Sequence, residues 1–285
     1  MVWHRGVVLK SERELALMRE AGRVNALALL AALKAVRPGV RTADIDAAAA
    51  EVIHKHGAKP AFLGYPGAYP YPAVTTISVN EELVHGIPGK RRLDEGDIVS
   101  IDVGTIVEGY VGDSALTVGV GDIPPQAQSL IDVTEGALFA GIQRMRLGMR
   151  AGDVSAAIQT HVESRGFNVV REYTGHGVGR NMHEDPQIPN YGIAMRGMPL
   201  KVGMTIALEP MVLAGRPEVR VLADQWTVAS TDGQRTAHFE HTVAVTENGP
   251  WILTALDTDL DEPAALRYND YFAGRLEPAG ELSKP

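Results

Sequence analysis

The sequence predicts an α+β fold of two similar halves, with helices packed on a shared central antiparallel sheet, and three observations carry that expectation. Gly39 is followed five residues later by Asp44 and eighteen later by Gly57, and the same intervals separate Gly148 from Asp153 and from Gly166. The run Leu93 to Asp102 lines up with Leu200 to Glu209 at an offset of 107 residues, against 109 for the glycine pairs. Between these landmarks the apolar period switches from that of helices to that of strands. Halves of this size, each two helices followed by strands, are too long for solenoid repeats and fit one pseudo-two-fold symmetric domain. A site is then expected between the halves.

Taken in order, Glu12 to Val36 reads as an amphipathic helix stopped by Arg37-Pro38-Gly39. Thr42 to His56 reads as a second helix, closed by Gly57. In the second half, Gln128 to Arg146 and Asp153 to Arg165 repeat the pair, ended by Leu147-Gly148 and Gly166. Strands are expected at Ala73 to Val79, Ile98 to Val103, Val111 to Val118, Thr205 to Leu208, Arg220 to Leu222 and Ala237 to Val245. From Leu256 the pattern dissolves into Asp, Glu, Pro and Gly. Residues 1–285 therefore read as a single domain with a core of about 11–255 and a tail over 256–285.

Composition narrows the chemistry. The 285 residues, 45% hydrophobic, can bury a real core. No cysteine is present, which removes disulfides, thiolate metal sites and a cysteine nucleophile; any transition metal must be held by His, Asp or Glu. A net charge of -8 with scattered basic residues argues against nucleic acid and anionic membranes as partners. The N-terminus lacks the pattern of a secretory signal and no long apolar run occurs, so a cytoplasmic protein is expected.

Asp102 and Asp113 flank the turn Val107-Glu108-Gly109, and a hairpin centred there sets them directly opposite each other. Like charges so placed need a cation, a shared proton or full solvation. Asp102 shares its face with Ser100 and Gly104, and Asp113 with Ala115 and Thr117, while larger apolar residues take the opposite faces. Glu209, with Thr205 and Ala207, and Glu240, with Thr242 and Ala244, repeat the arrangement. Any one of these acids alone reads as a solvated or salt-bridged strand residue. Four together on small-residue faces read as a metal site, and carboxylates with imidazole suit a pair of divalent ions that clamps an attacking water.

The segment Thr174-Gly175-His176-Gly177-Val178-Gly179-Arg180-Asn181-Met182-His183-Glu184-Asp185-Pro186 is a poor helix and a good irregular ledge, able to present one histidine to a metal and another to a substrate. Its glycines are not a phosphate loop, because no Lys-Ser/Thr pair follows. His85, within Val84-His85-Gly86-Ile87-Pro88, reads alone as a packed or surface residue. No Gly-x-Ser-x-Gly elbow is present, which leaves serine-triad chemistry without its nucleophile.

From about Ser11 to Trp251 these residues resemble the type I methionine aminopeptidases of peptidase family M24. The carriers are Asn80-Glu81-Glu82-Leu83-Val84-His85-Gly86-Ile87-Pro88, Gly96 to Asp102, Gly109-Tyr110-Val111-Gly112-Asp113, the ledge, Glu209-Pro210-Met211 and Phe239-Glu240-His241-Thr242. The resemblance implies the pseudo-symmetric pita-bread fold of creatinase and the aminopeptidases. It implies two divalent ions, of Co, Mn, Fe, Zn or Ni, held by Asp102, Asp113, His176, Glu209 and Glu240, with Asp113 and Glu240 bridging. It makes Glu209 the acceptor of the nucleophilic water's proton and sets His85 and His183 against the substrate and the tetrahedral intermediate. The implied reaction removes the N-terminal methionine of nascent proteins, near the ribosome, when the second residue is small. The enzyme is expected to act as a monomer. Tyr65, Tyr69, Met182 and Trp226 match positions of the methionine pocket. Thr76 stands where many relatives carry a cysteine, and the 66–72 segment is longer than usual. Two other readings remain: an X-Pro aminopeptidase or prolidase, which usually adds a large N-terminal domain, and a non-enzymatic binding protein that kept only the scaffold.

Overall fold

Ser11 starts the first helix by a reciprocal pairing: its hydroxyl accepts from the Glu14 N–H, and the Glu14 carboxylate accepts from the Ser11 N–H. In this computed structural model, which describes residues 4–256, the first half runs β1 (His4–Val7), α1 (Glu12–Ala35), α2 (Thr42–Lys55), β2 (Lys59–Pro60), β3 (Thr75–Val79), β4 (Glu82–Val84), β5 (Ile98–Val107) and β6 (Tyr110–Gly119). The second half runs α3 (Pro125–Ile142), α4 (Ala151–Glu163), β7 (Asn168–Val169), β8 (Thr174–Gly177), β9 (Glu184–Pro189), β10 (Thr205–Leu208), β11 (Met211–Leu213), β12 (Val219–Val221), β13 (Val228–Ser230), β14 (Thr236–His238), β15 (Glu240–Thr246) and β16 (Gly249–Ile252). All four expected helices form. Helix α3 begins at Pro125, earlier than Gln128, because proline is already set for a first helical turn. The expected tail, apart from its first residue, lies outside the described residues.

The main sheet is ordered β1-β9-β8-β10-β15-β6-β5-β2, with β3 added on β5 and β16 on β15. Every pairing in it is antiparallel except β1 with β9 at one edge. Among the described residues, no helix is long and apolar enough to cross a membrane.

The two halves repeat each other in detail. The turn glycines take matching left-handed conformations, Gly39 at φ 80° with Gly148 at 85°, and Gly96 at 92° with Gly203 at 87°. The bridge Arg41↔Arg92 is repeated by Arg150↔Pro199, and the bond from Leu93 N–H to Val40 C=O by that from Leu200 N–H to Met149 C=O. Asp44 and Asp153 each accept from the backbone N–H three residues earlier, at the start of α2 and α4. Strand pairing repeats as well: Lys59↔Ile106 in one half answers Asn168↔Leu213 in the other.

The hairpin register differs from the sequence expectation. Glu108 (φ 48°) and Gly109 (φ 81°) alone form the turn, so Val107 pairs with Tyr110. Asp102 therefore faces Ala115, and Asp113 faces Gly104. The aspartates sit diagonally on one face, each with a small residue opposite. The run Ala237 to Val245, expected as one strand, is split at Phe239 into β14 and β15. Its partner breaks at the same level, at Glu209-Pro210, where proline has no N–H for the ladder. The chain there leaves the main sheet for a three-stranded sheet of β14, β11 and β7.

Candidate functional site

At that break the second half delivers its polar side chains. Met211 pairs with His238 as Gly104 pairs with Asp113, so His238 occupies in the second half the place that Asp113 occupies in the first. Glu240 likewise corresponds to Ala115, and Glu209 to Asp102. His176, on β8 beside Ala207, completes the group. The histidine ledge is thus partly sheet: β8 and β9 carry its two ends, and the irregular part is the turn between them.

Asp113, His176 and Glu240 each present a ligand atom, all three within 4.8 Å of one another, and Glu209, His238 and Glu240 do the same. The two sets share Glu240. Asp102 belongs to neither set, but its Oδ1, Asp113 Oδ1, Glu240 Oε1 and His238 Nε2 are buried without hydrogen-bond partners. Burial raises the carboxyls of Asp102, Glu209 and Glu240 well above the usual range, reinforced by their mutual repulsion, and raises Asp113 to about 7. Burial lowers His176 to about 4 and His238 to about 3, which keeps both imidazoles neutral. The His176 Nδ1 faces the Gly177 carbonyl at 2.9 Å; a carbonyl only accepts, so Nδ1 carries the proton and Nε2 offers its lone pair. Three buried carboxylates, the partly buried Glu209, two neutral imidazoles and four orphaned polar atoms fit hard or borderline divalent cations.

A cavity of about 260 Å³ opens over this group. Phe62, Tyr65, Met182, Met211 and Trp226 give it apolar walls; His85 and His183 line it as well. His183 Nδ1 and the Tyr65 hydroxyl share a hydrogen bond of 2.6 Å, and the His183 ring packs 4.4 Å from that of His176. His85 sits at φ 62° beyond β4, a conformation uncommon outside glycine, with its ring edge-on to Tyr173. All five expected ligands, both further histidines, Tyr65, Met182 and Trp226 thus surround one space.

The chain matches metallopeptidase family M24 over residues 16–247. It is 52% identical to methionine aminopeptidase 1 of Bacillus subtilis over 87% of this chain and 99% of that one. The crystal structure of a methionine aminopeptidase from Thermotoga maritima superposes with a TM-score of 0.85 at 48% identity, covering 87% of this chain and 99% of the other. This protein belongs to metallopeptidase family M24. Within the family it groups with the methionine aminopeptidases. A prolidase from Pyrococcus furiosus shares the fold at a TM-score of 0.71 and 24% identity, but this chain spans only 66% of its length.

Two residues of this M24 peptidase stand differently from the sequence expectation. Tyr69 does not line the cavity: it is partly exposed, donates to the Asp224 carbonyl at 2.8 Å and stands edge-on to Trp226. The 66–72 segment packs on Trp226: a Cβ on Gly67 would meet the indole at 2.4 Å, and Tyr71, buried and edge-on to that indole, lines the cavity where Tyr69 does not. His238 is the group that sequence reasoning missed. A third residue holds the aspartates in place. Asn25 of α1, fully buried, donates to the carbonyls of Val103 and Gly112 and accepts from the Ser114 hydroxyl, so it grips the backbone just after Asp102 and just before Asp113, and the side chain that follows Asp113. Thr242 holds Asp113 from the other side, accepting from its N–H at 3.1 Å and donating to its C=O at 2.9 Å.

Proposed function

We propose that this chain is a metal-dependent aminopeptidase that removes the N-terminal methionine from nascent proteins whose second residue is small. The observation that carries this reading is the six-residue nitrogen and oxygen cluster at the base of an apolar-walled cavity, in a chain 52% identical to a methionine aminopeptidase over nearly all of that relative. Asp102, Asp113, His176, Glu209 and Glu240 would hold the metal, with His238 beside them. Two ions are favoured over one because the ligand atoms fall into two sets that share Glu240. Bound there, divalent ions would supply Lewis-acid activation of water and of the scissile carbonyl.

The rest of the chemistry falls to the chain's own residues. The methionine side chain enters between Tyr65, Phe62, Met182 and Trp226, where apolar contact selects it. Glu209, set between two imidazoles at 3.5 Å, is the carboxylate placed to take a proton from water. In the tautomer in which the Tyr65 hydroxyl donates to His183 Nδ1, the proton of that ring sits on Nε2, ready to donate to a developing oxyanion. Burial lowers His183 strongly and His85 to about 4, so both act as neutral imidazoles. A cytoplasmic monomer working on chains that leave the ribosome fits this role.

The test is competition between a Met-Ala-Ser peptide and an Ala-Pro peptide of equal length. Release of methionine with the X-Pro bond intact is expected; cleavage of the X-Pro peptide alone would make the chain an X-Pro peptidase.

A further inference from the structure

The turn that carries His183 is held by a buried ion pair to the N-terminal segment, 174 residues earlier in the chain. Lys10, one residue before the cap of α1, places its Nζ 2.7 Å from Glu184 Oε2, and both side chains are almost wholly buried. The other Glu184 oxygen accepts from the Asn181 N–H at 3.1 Å and closes the turn that contains His183. Lys10 Nζ also donates to the Val8 carbonyl at 3.2 Å, and its own N–H to the Gly203 carbonyl at 2.8 Å, so its stem is fixed at both ends. Gly179 leaves the room: a Cβ there would meet Lys10 Cε at 2.6 Å and Glu184 Oε1 at 2.8 Å. The same N-terminal stretch grips the turn at two flanking points. The Gly6 N–H donates to Asp185 Oδ2 at 2.8 Å, and Arg180 stacks over Tyr110, whose hydroxyl donates to Glu14 at 2.8 Å.

A buried ion pair is a poor source of net stability, because desolvation offsets most of the attraction; what it fixes is geometry. Here the geometry fixed is that of His183, whose ring must meet Tyr65 on one side and His176 on the other. We infer that Lys10 is a positioning residue for His183, acting through Glu184. This rests on the proposed reaction, in which His183 touches the substrate.

The decisive variant is Lys10→Met with Glu184→Gln, which removes both charges and leaves no buried ion unpaired. It should fold, bind Mn²⁺ with unchanged affinity by titration calorimetry, and lose on the order of 10- to 100-fold in kcat/KM on Met-Ala-Ser peptide. On a His183→Ala background the same double change should cost nothing further. An equal loss on both backgrounds, or none on the first, would overturn the inference. Gly179→Ala, which pushes the pair apart without removing it, should show the same dependence on His183 and serves if the double variant does not fold. Absence of methionine release by the unaltered protein would sink the proposed reaction itself. Additive losses in an active enzyme would sink only the role of Lys10.

Discussion

Glu209 lies between two imidazoles: its Oε1 is 3.5 Å from His176 Nε2, and its Oε2 is 3.5 Å from His238 Nε2. One imidazole comes from the strand beside it and the other from the opposite strand of its own interrupted hairpin, so the carboxylate sits where the second half breaks from the main sheet. His238 Nε2 is also 3.9 Å from Glu240 Oε2 and has no hydrogen-bond partner.

His238→Ala should therefore weaken metal binding by roughly 10- to 100-fold while leaving the fold intact, as loss of a group close to a metal commonly does. Calorimetric titration with Mn²⁺ checks it. Unchanged affinity would remove His238 from the site.

Asp113→Asn should abolish turnover, by about 10³-fold or more, since the proposed metal site loses a charged ligand and with it several kcal/mol of Lewis-acid stabilisation. The metal-free variant should be no less stable than the parent, because the change relieves repulsion with buried Asp102. Thermal unfolding with and without metal, beside a turnover assay, separates the two effects.

The pH dependence of the metal-free protein has a defined sign. The folded-state carboxyls of Asp102, Asp113, Glu209 and Glu240 lie above their unfolded values, so the folded protein binds extra protons and loses stability as pH rises, for Asp113 from about 4 to about 7. His176 and His238, lowered from 6.5, act in the opposite direction only below that value. Above pH 6.5 the carboxyls act alone, and metal-free stability should keep falling as pH rises until they have ionised. Saturating divalent metal should reverse the trend. Chemical denaturation at pH 6.5 and 8.0, with chelator or Mn²⁺, measures both.

Asn25→Ala removes the grip on the two aspartate strands and leaves the Val103 and Gly112 carbonyls without their side-chain donor. A loss of about 2 kcal/mol or more is expected, since each unsatisfied buried group costs about 1 to 3 kcal/mol. Weaker Mn²⁺ affinity should accompany it, because Asp102 and Asp113 then have freer backbones. A stability loss with unchanged affinity would make Asn25 a plain core residue.

The halves were legible in the sequence because glycines mark them: Gly39, Gly57, Gly148 and Gly166 all stand at positive φ, which side chains avoid. The carboxylate faces were legible because strand alternation is rigid, and small residues beside Asp102 and Asp113 leave space that large ones would fill. The register between those aspartates was not, since it depends on how many residues the turn uses. Glu108 accepting a left-handed conformation moved the pairing from opposed to diagonal. His238 was hidden by a change of offset. The second hairpin carries a long excursion, including β12 and β13, where the first has a two-residue turn, so a constant shift along the sequence cannot align His238 with Asp113. Tyr69 was misplaced for a plainer reason: aromatic identity says nothing about which side of Trp226 a ring takes.

On the proposed reading, the carboxylates and imidazoles of the two hairpins and of β8 hold catalytic metal. The most direct test is methionine release from a Met-Ala-Ser peptide by protein stripped with a strong chelator, then supplied with Mn²⁺, Co²⁺ or Fe²⁺ under anaerobic conditions. Release should be lost on stripping and return with at least one of these ions. Full activity in the presence of the chelator would contradict it.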